Sequence, residues 1–393
     1  MIELLAPAGD LEKLKIAVLY GADAVYIGGK KFSLRARASN FSLADIESAG
    51  RFARRYGVKI YVTLNIVPRD EDLTAVSDYL RELVRCGVDG IIVTSLYYAA
   101  LSRQIAPELE LHLSTQFSAA NSRAINYYKT LGFSRVILAR EVTINQIKTI
   151  KQNTGLDLEV FIHGGMCSSF SGRCVLSNYL TGRDANRGGC AHSCRWNYYL
   201  SQAALPVTNL LFNMGSKDLS AVRVVPELID LGIKSLKIEG RMKSIYYIAT
   251  VVRSYRQLID EYLENGRVHD FNYYEKELAK AENRETASGF LYGLPDVNEQ
   301  LYNTVTPPDK TFVGIVLDYD SHCEIATVEQ RNYFSVGDRL ELFGPNRANT
   351  QIVVDYIWDE FGNRLDAARH PQQRIKIKVP FYVSYPDMIR LII

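Results

Sequence analysis

Net charge, cysteine and long apolar runs are all scarce in this sequence. Its 46 Lys and Arg stand against 44 Asp and Glu, a formal +2, so the surface as a whole cannot grip nucleic acid and any anionic partner must meet a local patch. Six Cys in 393 residues are too few for the disulfide framework of small secreted domains. No apolar run reaches the roughly 18 residues of a membrane-spanning helix, and the opening MIELLAPAGD carries no basic segment or apolar signal core. A cytoplasmic protein with no membrane partner is therefore expected, in a compartment where thiols stay reduced. HExxH, GxSxG and Walker A motifs are missing too, which removes the commonest sequence signs of zinc peptidases, serine hydrolases and P-loop enzymes.

What is present is a repeated αβ joint. The phrases YGADAVYIG, YGVKIYV, CGVDGIIV, LGFSRVIL, TGLDLEVF and LGIKSLKI turn at Gly21, Gly57, Gly87, Gly132, Gly155 and Gly232, where a glycine ends a helix in the left-handed conformation just before a strand. Asp10, Ser42 and Thr143 stand where helix N-caps are expected. Strands are expected at 2–6, 24–28, 58–64, 90–94, 110–114, 135–139, 158–163 and 235–239. Eight strands alternating with helices give an α/β fold, a (β/α)8 TIM-like barrel. A doubly wound open sheet is the alternative, but no GxGxxG follows the first strand. The barrel is expected over residues 1–265, with an insertion at 164–234, a helical connector at 266–311 and a small all-β barrel domain at 312–393, where short β-like runs are separated by Asp, Gly, Asn and Pro.

Four of the cysteines, Cys167, Cys174, Cys190 and Cys194, lie within 28 residues in that insertion, spaced Cys-x6-Cys-x15-Cys-x3-Cys. Four thiolates can hold a 4Fe-4S cluster or a zinc ion. Zinc turns favour Cys-x2-Cys pairs, which are absent here, whereas ligands to different irons tolerate irregular spacing. Unliganded or redox thiols are a third possibility, and a Cys nucleophile paired with His163 or His192 would make a peptidase. Arg173, Arg183, Arg187 and Arg195 against Asp184 make this loop locally basic, either to balance an anionic cluster or to bind phosphates. Cys86 and Cys323 are expected to be buried bystanders.

In such a barrel the chemistry lies at the C-terminal strand ends. Counting alternate residues as inward puts Tyr61, Thr63 and Asn65, His112 and Ser114, Glu159 and His163, and Lys237 and Glu239 in the interior, an unusually polar set. Glu239 and Arg241 are expected to act on or position substrate and His163 to transfer a proton. Asn65, Ser114, Thr115, Gln116, Lys237, Arg173 and Arg187 are expected to bind substrate.

The run Glu159-x-Phe161-x2-Gly164-Gly165-Met166-Cys167-x4-Gly172-x-Cys174-x-Leu176-Ser177 resembles the signature of the peptidase U32 family, with Gly165 where that signature has Ser or Ala. The likeness extends to ELLAPAGDLEKLKIAVLYGADAVYIGG, LHLSTQFSAAN, GRDANRGGCAHSCRW, SLKIEGRMKSIYYIATVVRSYR, NRETASGF and DAARHPQQRIKI, nearly the whole chain. DANRGGCAHSCRW followed by SLKIEGRMKS is similar to the members that hydroxylate the wobble uridine of tRNA. The resemblance implies a 4Fe-4S cluster on Cys167, Cys174, Cys190 and Cys194. It also implies oxygen-independent 5-hydroxyuridine formation involving prephenate, with the tRNA anticodon region as partner. Other members carry a collagenase-like protease label, which keeps a peptidase acting on unfolded or collagen-like polypeptides as the alternative.

Overall fold

Strand formation follows the apolar runs. In the computed structural model, which describes residues 2–34, 40–199, 211–281, 284–301 and 310–392, eight parallel strands carry the αβ repeat: β1 (Glu3–Pro7), β2 (Ala24–Gly28), β3 (Lys59–Leu64), β4 (Gly90–Val93), β5 (Glu110–Leu113), β6 (Arg135–Ile137), β7 (Asp157–Gly164) and β8 (Ser235–Ile238). Neighbours pair in chain order, and β8 pairs with both β1 and β7, which closes the barrel. β1 and β2 are buried at every position, as strands covered on both faces must be. The covering helices are α1 (Leu11–Leu19), α2 (Leu43–Arg54), α3 (Val76–Arg85), α4 (Leu96–Ile105), α5 (Ser122–Thr130), α6 (Ile144–Gln152), α7 (Val225–Asp230) and α8 (Ile245–Asn265).

The helix boundaries are chemical. Asp10 accepts from the Lys13 N–H, and Ser42 and Thr143 form capping boxes with Asp45 and Gln146. Gly21, Gly57, Gly87, Gly132 and Gly232 adopt positive φ, as their helix-ending places require, whereas Gly155 does not. There α6 ends instead on Asn153, whose side chain donates to Thr149 O at 2.7 Å.

Between β7 and α7 the chain makes the long Cys-bearing excursion and returns through the short strand Asp218–Ser220, which runs antiparallel to β7. The connector is less separate than its composition suggests. It holds a helix, α9 (Phe271–Ala279), and the strand Thr286–Ala287, which pairs with Asp218–Ser220 on the barrel sheet. Part of the connector, and Asn283 of the NRETASGF run, lie outside the described residues.

The C-terminal region is an all-antiparallel eight-stranded sheet. Its order is Arg347–Val353, Arg339–Gly344, Met388–Ile392, Lys310–Asp320, Ile325–Gln330, Arg374–Lys378, Ile357–Asp359, Arg364–Leu365. It encloses its own apolar interior, including Val316, Val328, Leu340, Ile375 and Ile389. Cys323 is not buried in a strand as expected. It is exposed in the turn after Asp320, whose carboxylate accepts from the His322 and Cys323 N–H groups. Cys86 is buried at the end of α3. Among the described residues no helix is long and apolar enough to cross a membrane.

Candidate active site

The C-terminal strand ends and the Cys-bearing loop enclose a cavity of about 450 Å³. Asn65, Ser114, Thr115, Gln116, Lys237, Glu239 and Arg241 line it, and so do Cys167, Cys174, Cys190 and Cys194. The four cysteines, far apart along the loop, thus border one cavity. His163, Arg173 and Arg187 are not among the lining residues.

The floor is a buried ionic network. Lys237 Nζ lies 2.8 Å from Glu159, Arg135 reaches Glu3 at 2.5 Å and Glu159 at 3.3 Å, and Tyr61 donates to Glu3 at 2.7 Å. Burial pushes the Glu159 carboxyl up, but Lys237 and Arg135 more than offset this and hold it ionised below its ordinary value. Burial lowers Lys237 against the pull of Glu159. Its ammonium sits 4.4 Å from the Tyr26 ring centre and 5.4 Å from that of Phe161, so aromatic faces frame the one charged group that rises from the network into the cavity.

Arg241 is anchored rather than mobile: it donates to Ser33 at 2.9 Å, Leu34 O at 3.1 Å and Asn40 at 2.6 Å, fixing the loop after β2 to the end of β8. Glu239 accepts from Tyr26 at 3.3 Å and lies 3.8 Å from Arg140. The ends of β7 and β8 cross closely here: a Cβ on Gly164 (φ 98°) would lie 2.2 Å from Glu239 O, so only glycine fits. Gly165 has no such constraint, since the nearest atom to a Cβ there is Asp218 Oδ1 at 4.0 Å; a side chain is accommodated and the departure from the signature disturbs nothing.

His163 differs from its expected inward placement. The β7–β8 register shifts between Lys237, opposite Phe161, and Ile238, opposite His163. This bulge inserts one residue and reverses the alternation beyond it. The imidazole turns to α8, with Nδ1 3.2 Å from Tyr255 Oη and the ring beside Tyr247. Arg173 donates to Gln116 O and lies over Phe117. Arg187 points away from the cavity, 2.5 Å from Asp72 and 2.9 Å from Val67 O. Both tether the loop; Arg187 is neutralised by Asp72 in doing so, whereas Arg173, exposed and bonded to a backbone carbonyl, keeps its charge. Ser114 caps the turn that follows it, and Thr115 donates to Leu138 O at 3.0 Å.

Sequence reading missed other groups. Arg140, just past β6, stacks on Phe161 with its guanidinium 3.9 Å from the ring centre. Buried Asp218 lies between Arg195 (3.8 Å), Lys243 (3.6 Å) and Arg284 (3.4 Å), three cations from three segments that all line the cavity. Arg284 comes from the connector, which no motif tied to the barrel mouth. Among the described residues six cations and one carboxylate, Glu239, line the cavity, a strong local excess on a nearly neutral chain.

Fold and site together define a (β/α)8 protein whose barrel mouth is roofed by a cysteine-bearing loop over a cationic cavity. A model described as peptidase family U32 matches residues 9–301, and one described as the peptidase family U32 C-terminal domain matches residues 308–390. The chain belongs to peptidase family U32. It is 46% identical to the tRNA hydroxylation protein P1 of Bacillus subtilis (strain 168), over 99% of this chain and 94% of that protein. To the 23S rRNA 5-hydroxycytidine C2501 synthase of Escherichia coli (strain K12) it is 40% identical over 67% of this chain and 40% of that protein. A protein of Porphyromonas gingivalis (strain ATCC BAA-308 / W83) named collagenase is 30% identical over 96% and 94% of the two chains.

Proposed function

We propose that this chain is an RNA-modifying iron–sulfur enzyme that hydroxylates the wobble uridine of tRNA at C5 without molecular oxygen, with prephenate as co-substrate. The observation that carries this reading is the meeting of all four loop cysteines with six cations in one cavity. The RNA-hydroxylating names of two of the relatives support it.

The donor set suits a cluster. All four candidate ligands are sulfur, which favours iron or zinc over magnesium or calcium. Among the described residues no three His, Cys, Asp or Glu side chains converge on a point suited to one metal ion. The irregular Cys-x6-Cys-x15-Cys-x3-Cys spacing favours ligands to different irons of a 4Fe-4S cubane over the paired turns of a zinc site. Cys167, Cys174, Cys190 and Cys194 would hold the cluster, with their backbones braced by Asn186 at Cys174, Arg183 at Cys190 and the Met214 N–H at Cys194. When bound, it supplies electron transfer or Lewis acidity beside the substrate.

Replacing the C5 hydrogen by hydroxyl adds one oxygen atom and removes two electrons, so when molecular oxygen is not used a co-reactant must accept the electrons, and it or water must supply the oxygen. Arg195, Lys243 and Arg284 around Asp218 leave two positive charges unbalanced, which matches a dicarboxylate such as prephenate. A wobble base is unpaired and can swing into a pocket at modest cost. Asn65, Ser114 and Gln116 offer hydrogen bonds to its polar edge, Lys237 an ammonium donor, and Glu239 a carboxylate to take the C5 proton, with Arg241 and Arg140 holding that wall rigid.

Anaerobically purified protein should be brown and contain about four irons per chain; a colourless preparation with one zinc overturns the cluster. Nucleoside mass spectrometry of tRNA from a deletion strain should show loss of 5-hydroxyuridine derivatives. The peptidase reading, which the name collagenase favours, instead requires proteolysis of unfolded polypeptides that survives iron chelation and depends on a single thiol.

A further inference from the structure

The loop that carries the cysteines also leaves large aromatic side chains in water. Phe170 is 54% exposed, Tyr179 88% and Trp196 43%. Isolated exposed apolar residues are ordinary, but a group of them beside a cavity marks a contact surface. Each sits beside a residue that lines the cavity: Phe170 precedes Ser171 and Trp196 follows Arg195. Tyr179 lies three positions after Leu176 on the short helix Leu176–Thr181, so it extends the same face outward. That helix packs against the turn Ser193–Arg195, which brings the Tyr179 and Trp196 segments together. Met242, just past β8, is likewise exposed and lines the cavity, adding an apolar element to its border.

We infer that this rim is a stacking platform for single-stranded RNA, on which Tyr179 and Trp196 hold the bases flanking the nucleotide that enters the cavity. The inference rests on the RNA-modifying reading above and assigns it a docking surface. Two features favour RNA over a polypeptide. The rings are interleaved along the loop with exposed Arg173 and half-buried Arg183, which bond to the carbonyls of Gln116 and Cys190 and so keep their charge, the combination of flat apolar faces and cations that suits bases and phosphates together. The cavity beneath the rim holds six cations against one carboxylate among the described residues, a field that favours a polyanion over a polypeptide of ordinary charge.

The test is binding of an anticodon stem-loop RNA to the anaerobically prepared holoprotein, followed by fluorescence anisotropy, with visible absorbance recorded for every variant. Tyr179→Ala and Trp196→Ala should each weaken binding by about tenfold with unchanged absorbance. Trp196→Phe should stay close to the parent, because a ring remains. Phe361→Ala removes an equally exposed ring from the C-terminal sheet and should change nothing. The inference is overturned if Tyr179→Ala and Trp196→Ala bind like the parent, or if Trp196→Phe and Phe361→Ala lose as much as they do. Should the parent bind an unfolded polypeptide and no RNA, the RNA-modifying reading itself fails, and the platform with it.

Discussion

At Lys237 and Glu159 the alternate-residue count along a strand was sufficient to place both side chains inside the barrel. An ammonium and a carboxylate at inward positions of neighbouring strands have no stable arrangement other than meeting, and they do so at 2.8 Å. The two are not equivalent, however. Glu159 serves Lys237 and Arg135, whereas Lys237 has one carboxylate at ion-pair distance. Glu159→Gln therefore strands the buried Lys237 ammonium, Arg135 keeping Glu3, and should cost about 3 to 5 kcal/mol, while Lys237→Met leaves Glu159 still paired with Arg135 and should cost clearly less. Urea unfolding at neutral pH checks the order, and an equal loss for both would mean that Arg135 does not share Glu159. The same count misplaced His163, because a bulge carries no residue-type signature and reverses the parity of everything beyond it. Asp218 and Arg284 were illegible for another reason: they are brought to the cavity by a strand added to the barrel edge late in the chain, and no local pattern encodes that pairing.

Among the elements, the barrel strands and their helices were readable because each is specified locally, by an apolar run, a capping residue and a helix-ending glycine. The Cys loop was readable as a cluster of cysteines in a long insertion but not as a shaped object, since its form comes from distant anchors. Val67 N–H donates to Asn186 O at 3.0 Å, Arg187 returns a bond to Val67 O and pairs with Asp72, and Ser171 is held by Glu141 through two contacts of 2.6 Å. The basic character seen in the sequence is thus partly spent on tethering. Arg187→Ala should leave global stability within about 1 kcal/mol of the parent, as for most partly exposed pairs. It should nevertheless speed amide exchange at Val67 and across residues 184–190 and reduce the iron retained after purification. Unchanged exchange there would show that the backbone contacts hold the loop without Arg187.

At the scale of the whole molecule the two domains are joined by a reciprocal ionic clasp as well as apolar contact. Tyr246 of α8 stacks on Phe312 with ring centres 5.2 Å apart, and Tyr20, which caps the end of α1, donates to Pro386 O at 2.8 Å. Arg390 of the C-terminal sheet lies 2.9 Å from Glu277 of α9 and 3.1 Å from Glu341 of its own sheet, while Lys280 from the barrel side lies 3.4 Å from Glu341. Sequence reading separated the two domains by texture and contained nothing about this seam, because its partners are 113 and 49 residues apart. Arg390→Met keeps the length of the side chain but leaves two buried carboxylates to Lys280, at a cost of about 3 kcal/mol or more. Burial raises the pKa of Glu277 and of Glu341, yet Arg390 and Lys280 outweigh it and leave both lowered. The clasp contributes in full above the ordinary carboxylate range, near pH 4.3, and is lost as pH falls through the lower folded values. In calorimetry at pH 7 the parent should melt in one transition and Arg390→Met in two, the earlier being release or melting of the C-terminal sheet. Acidification should split the parent's transition in the same way, and a variant that melts like the parent at both pH values would mean that the apolar seam alone holds the domains together.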